Sequence, residues 1–170
     1  VLIERTDLRN ETGALFTDKP VFDEEETVAD NFYNIKLSYG IPDEEFTKRY
    51  TKLSSALLFD AYKDERVKNL SMGQKRRAEL AAVLIHEPKL LLLDEPAAGM
   101  NPNETAELME TIKFIRKEFG LTILLIEHDM SLVSGICEKL SVLNFGKLLC
   151  EGETSEVLNN REVITAYLGE

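Results

Sequence analysis

Basic charge, sulfur and long apolar runs are all scarce in these 170 residues. Lys and Arg number 20 against 31 Asp and Glu, for a formal net charge of −11. That balance excludes unspecific nucleic-acid binding, which depends on a basic surface. No apolar run approaches the length of a membrane-spanning helix. No charged-then-apolar leader resembles a signal peptide. The only cysteines, Cys137 and Cys150, form no CxxC pair, and no metal ligands cluster around them. Two thiols without a framework suit a reducing cytosol. Internal repeats and low-complexity tracts are absent. The first residue is Val1 rather than Met, so the expectation is a fragment or a trimmed product.

What is present is 44% hydrophobic content, enough for a buried core in one domain with a lobe inserted. The most informative stretch is Leu90-Leu91-Leu92-Leu93-Asp94-Glu95-Pro96. Four leucines in a row fit a strand buried on both faces of a parallel sheet. Two carboxylates at its C-terminal end would lie at the sheet edge where open α/β folds bind ligands. The stretch supports two readings: magnesium and water held beside a nucleotide phosphate, or a core strand leaving the sheet through an acidic turn.

Before it, Gly13 to Phe16 reads as a strand, Val1 to Ile3 as an earlier one, and Thr17 to Pro20 as a turn. The pattern predicts a helix capped by Thr27, with Val28, Phe32 and Ile35 on one face and Gly40 ending it. A second helix is expected from Asp43 to about Phe59, with Phe46, Tyr50, Leu53, Leu57 and Leu58 inward. Residues 27–68 thus read as a small helical lobe. His86, just before Pro88, reads as surface.

Ser71 and Gln74 have capping-box spacing, and the helix they open runs to about Ile85 with Leu80, Val83 and Leu84 inward. Ser71, Gly73 and the free N–H groups of this helix start make a potential anion site; an ordinary capped helix is the plainer alternative. After Pro96, Asn101, Pro102 and Glu104 predict a capped helix with Leu108, Ile112 and Ile115 inward, stopped at Gly120. Leu121 to Ile126 reads as a second buried strand. Its parallel crossover from the first would bring Glu127-His128-Asp129 to the sheet edge of Asp94 and Glu95. A strand over Leu140 to Phe145, a turn at Gly146, a strand through Cys150 and two short helices complete the chain.

Together these residues resemble the ATPases of ABC transporters. Leu70-Ser71-Met72-Gly73-Gln74 is similar to the LSGGQ signature, with Met72 in place of its first glycine. Asp94 follows Gly73 by 21 positions, the usual span from signature to Walker B. Leu90 to Glu95 resembles Walker B with its catalytic glutamate, Ala98-Gly99-Met100-Asn101 the D-loop, and His128 the switch histidine. The later half, from Asp94-Glu95-Pro96-Ala97-Ala98-Gly99 to Glu127-His128-Asp129-Met130, resembles the ATPase subunits of branched-chain amino acid importers. The ending Ala166 to Glu170 fits these and the lipopolysaccharide-transport ATPase, whereas Phe16 to Phe32 looks more like exporter-type ATPases.

The resemblance implies an α/β fold: a P-loop NTPase-like parallel sheet core with an inserted helical lobe carrying the signature. The lobe with its signature helix would span 27–88, the Walker B, D-loop and H-loop core 89–150, and C-terminal helices 151–170. ATP and Mg2+ are the implied cofactors. Ser71, Gly73 and Gln74 would contact the γ-phosphate held on an opposite subunit, Asp94 would hold magnesium through water, Glu95 would act as base, and His128 would sense the γ-phosphate. The implied partners are a second ATPase subunit, homo- or heterodimeric, and a membrane-spanning permease. The implied place is the cytoplasm, peripheral on the inner face of the cell membrane. Two departures stand out. The GxxxxGK[ST] loop expected before Val1 to Leu8 is absent from these residues, so the core is incomplete and the chain is expected to begin just after the phosphate cradle. Gln74 is the only glutamine, and Asp18 stands at the Q-loop position, as a magnesium ligand or as a plain turn residue. The alternative function is a non-catalytic partner module that lends its signature to another subunit.

Overall fold

The computed structural model describes residues 10–168, so the expected strand at Val1–Ile3 lies outside the described residues. The chain divides into two compact units, one through Glu127 and one from His128.

The first unit holds β1 (Thr12–Leu15), α1 (Val28–Tyr39), α2 (Asp43–Leu57), α3 (Met72–Leu84), β2 (Leu90–Asp94), α4 (Pro102–Phe119) and β3 (Thr122–Ile126). The strands form a parallel sheet in the order β1-β2-β3, with Leu15 opposite Leu93 and Asp94 opposite Ile126. Gly13 is glycine because a Cβ there would lie 2.6 Å from the Val83 carbonyl oxygen, where β1 passes the end of α3.

The helical lobe packs on aromatics. Phe32 stacks on Phe59 at 5.0 Å, and Tyr50 meets both edge-on at 5.1 and 5.4 Å. Thr27 caps α1 by accepting from the Asp30 N–H, and Gly40 closes it with a left-handed φ of 63°. Leu58, expected inward, is instead 73% exposed. It takes the left-handed cap of α2 at φ 57°, which turns the chain off the helical face and sends Phe59 inward in its place.

Helix α3 is buried all round rather than on one face, because it packs on α1, α2, α4 and β1 together. Even Arg76 and Glu79 are buried there, as an ion pair at 3.0 Å. Burial pushes the Glu79 carboxyl above its ordinary value, against the pull of Arg76. His86 is also not a plain surface residue. Its ring stacks on Tyr39 at 4.5 Å, and its Nε2 lies 3.2 Å from the Thr12 carbonyl oxygen.

Burial of the strands is more one-sided than a fully covered sheet requires. Leu91 and Leu93 are buried, whereas Leu90 and Leu92 are half-buried. In β3, Leu124 and Ile126 are more than half exposed. β3 is the edge of the described sheet, and Thr122, Leu124 and Ile126 on one of its faces are exposed.

The second unit begins with α5 (Met130–Ile136), capped by Asp129, whose carboxylate accepts from Ser131 and Leu132. The antiparallel pair β4 (Lys139–Asn144) and β5 (Lys147–Glu153) turns through Phe145 and Gly146, both at positive φ. The helices α6 (Thr154–Leu158) and α7 (Arg161–Leu168) follow, and Val142, Val157 and Val163 form this unit's core.

Candidate functional site

The parallel register carries two connections to the same end of the sheet. β2 ends at Asp94 beside Ile126, and the chain leaves β1 at Leu15 beside Leu93. The turn after β1 is fastened there. The Thr17 hydroxyl lies 2.7 Å from the Asp94 carbonyl oxygen and 3.0 Å from that of Glu95. Asp18, the next residue, is exposed on this turn. Glu127 continues β3 into the site, and its carboxylate accepts from the Ala97 N–H at 3.3 Å.

Glu95 is held in an unusual conformation. Its backbone N–H donates to the Ile126 carbonyl at 2.9 Å while its φ is 45°. A left-handed non-glycine residue costs about 1–2 kcal/mol, so the surrounding bonds must fix it. Strain of this kind concentrates at functional positions. The Glu95 carbonyl also accepts from the Ala98 N–H at 3.0 Å, which starts the loop towards Asn101.

That loop meets the signature turn. A Cβ on Gly99 would sit 3.6 Å from the Met72 Cε, so Met72 covers the loop after Pro96. The capping box expected at α3 is present: Ser71 Oγ accepts from the Gln74 N–H at 3.3 Å, and the Gln74 side chain accepts from the Ser71 N–H at 2.9 Å. The N–H groups expected to be free are taken. Gly73 donates to Glu104 Oε1 at 3.2 Å, because the capped start of α4 brings that carboxylate to the mouth of α3.

The structure therefore gathers Asp18, Asp94, Glu95 and Glu127 at one end of the sheet, and Ser71, Gly73 and Gln74 at the start of α3. His128 is exposed and belongs to the second unit. From the sequence, Thr17 reads only as a turn residue and Glu104 only as part of a cap, and Glu127 is placed at the sheet edge without a role. Parallel alignment of the residues after Leu15 with those after Leu93 is the signal that points to Thr17; the S/N-x-x-E spacing at Asn101 points only to a cap for Glu104.

Strands in parallel with helices between them define an α/β fold of the P-loop NTPase kind. Solved ABC ATPase domains share it. The cbiO1 protein of Clostridium perfringens, described as part of the ABC transporter complex cbiONQ, superposes with a TM-score of 0.81 at 32% identity, over 93% of this chain and 63% of that one. The ADP conformation of MJ1267, an ATP-binding cassette of an ABC transporter, gives 0.81 at 26% identity, over 99% of this chain and 72% of that one. The family model described as "ABC transporter" matches residues 2–98, and the chain belongs to that family. LivG of Salmonella typhimurium, a high-affinity branched-chain amino acid transport ATP-binding protein, is 52% identical over 102 residues, which are 60% of this chain and 40% of LivG. The energy-coupling factor transporter ATP-binding protein EcfA2 of Clostridium perfringens is 34% identical over 164 residues, 95% of this chain and 58% of that protein. The chain thus spans less than two thirds of the length of these curated relatives.

Proposed function

We propose that the chain belongs to an ATP-hydrolysing subunit that powers an ABC transporter, working as a dimer whose two signatures each face a nucleotide on the opposite subunit. In that dimer Ser71, Gly73 and Gln74 bind the γ-phosphate, and His128 senses it. Asp94 suits magnesium held through water, which takes one or two carboxylates and leaves the other positions to phosphate and water. Among the described residues no group of three or more His, Cys, Asp and Glu is arranged to hold a metal. Glu95 orients and deprotonates the attacking water. Asp18, next in the chain to the Thr17 that is fastened on the Asp94 carbonyl, is a further candidate for the metal.

The observation that carries this reading is the fixed conformation of Glu95. The Ile126 carbonyl and the Thr17 hydroxyl hold its backbone beside Asp94, at the sheet edge where such folds place ligands. Glu95→Gln in the assembled ATPase should leave ATP binding intact and lower turnover by about 10²–10⁴-fold, the usual worth of a general base. Turnover unchanged by the substitution would remove Glu95 from that role.

Similarity to LivG makes branched-chain amino acids the leading transported substrate. The lobe at 27–88 would dock on a membrane-spanning permease from the cytoplasmic side. No helix among the described residues is long and apolar enough to cross a membrane. A second reading, a non-catalytic module that lends its signature to another subunit, is favoured by Met72 at a glycine position of the signature and Asp18 at the Q-loop position. The same Glu95→Gln experiment separates the two, because only the first loses turnover.

A further inference from the structure

We propose that the Glu104 carboxylate is an internal stand-in for phosphate at the signature turn, and that it must leave Gly73 before Gly73 can hold a nucleotide. The proposal rests on the reading of Ser71 and Gly73 as phosphate contacts. Gly73 is the second residue of α3, so its N–H has no partner within the helix. In the structure that N–H donates to Glu104 Oε1 at 3.2 Å. The Gly73 N–H thus already holds an anion, and the anion is the chain's own.

The fit leaves no room for a second one. A Cβ built on Gly73 would lie 3.4 Å from both Cγ and Oε1 of Glu104. A phosphate oxygen bonded to the Gly73 N–H must come within about 3 Å of that nitrogen, which is where Oε1 sits. The bonds from Asn101 and Gly73 hold the Glu104 carboxyl below its ordinary value, so it is ionised at neutral pH and repels an incoming phosphate.

The other oxygen does a separate job. Oε2 accepts from the Asn101 N–H at 3.2 Å and from Asn101 Nδ2 at 3.0 Å, completing the cap of α4. Release of Gly73 need not uncap α4, because the two functions lie on different oxygens. Glu104 therefore links the signature turn to the loop that follows Glu95. Phosphate arriving at the first would free a carboxylate anchored on the second.

The test is Glu104→Gln in the whole chain, read at the Gly73 amide by 15N NMR during titration with tripolyphosphate. Glutamine at this position keeps the capping box but carries no charge to hold Gly73. The variant should reach half-saturation at about tenfold lower tripolyphosphate, the worth of one competing charge-assisted bond. Equal half-saturation in the two proteins would overturn the internal stand-in and leave the phosphate contact standing. A Gly73 amide that responds in neither protein would overturn both. A second measurement needs no variant: as pH falls, the wild-type Gly73 amide shift should follow the protonation of Glu104. A Gly73 shift indifferent to that protonation would also overturn the proposal.

Discussion

The start of α3 meets the loop that follows Glu95 through Met72 and Gly99, and the two regions differ in how their backbones are held. At the turn every group named is satisfied: Ser71 and Gln74 cap each other, and Gly73 donates to Glu104. At the strand end the backbone is forced instead, with Glu95 at φ 45° between the Ile126 and Thr17 bonds. One region is held by its own side chains; the other keeps a left-handed non-glycine residue that only long-range bonds fix. Satisfaction and strain are thus divided between neighbouring parts of one unit.

The largest expected effect concerns what neither region supplies. Without a phosphate cradle, three or four charge-assisted bonds are missing, about 5 kcal/mol or 10³–10⁴ in affinity. Calorimetry on the 170-residue chain should detect no tight ATP binding, only the weak phosphate contact at the start of α3; tight binding would mean that the two regions suffice by themselves. Loss of turnover in Glu95→Gln comes next and tests the strained region directly. Ser71→Ala tests the satisfied one and should lower stability by about 0.5–2 kcal/mol, the usual cost of losing an N-cap, read as a fall in urea midpoint. Glu95→Gly should do the reverse. Relief of the left-handed strain, less the extra chain entropy of glycine, should raise stability by about 0.5–1 kcal/mol. A loss there would show that the Glu95 side chain, not its backbone, holds the strand end together. The smallest effect is one of pH. The Glu104 carboxyl is depressed in the fold by its bonds to Asn101 and Gly73, so its contribution is present above the unfolded value and lost as pH falls through the folded one. The difference in thermal midpoint between wild type and Glu104→Gln should therefore shrink on acidification, in scans from neutral to acid pH.

Local signals in the sequence were dependable where one residue decides the geometry. Thr27, Ser71 and Asn101 cap their helices, and Gly40 and Gly120 close theirs in left-handed conformation, as their chemistry dictates. The signals misled where neighbours decide. Leu58 fits the inward face of α2 by periodicity, but the chain turns at that residue and Phe59 takes the core position. His86 has no sequence feature that marks its place between Tyr39 and Thr12. The runs Leu90–Leu93 and Leu121–Ile126 look equally apolar, yet only the central strand buries its leucines well. Position in the sheet, not composition, separates them.

The same division applies to the candidate site. Order and spacing along the chain pick out Ser71, Gly73, Gln74, Asp94, Glu95 and His128 as candidates, because helix caps and strand ends are written in short-range chemistry. Only the tertiary structure decided what surrounds them. The parallel register brought Thr17 across 77 positions to the Asp94 carbonyl, and the packing of α3 on α4 brought Glu104 across 31 to the Gly73 N–H. Contacts over such separations depend on how elements pack. No local pattern encodes them, and they determine whether the anion site at α3 is open or already filled.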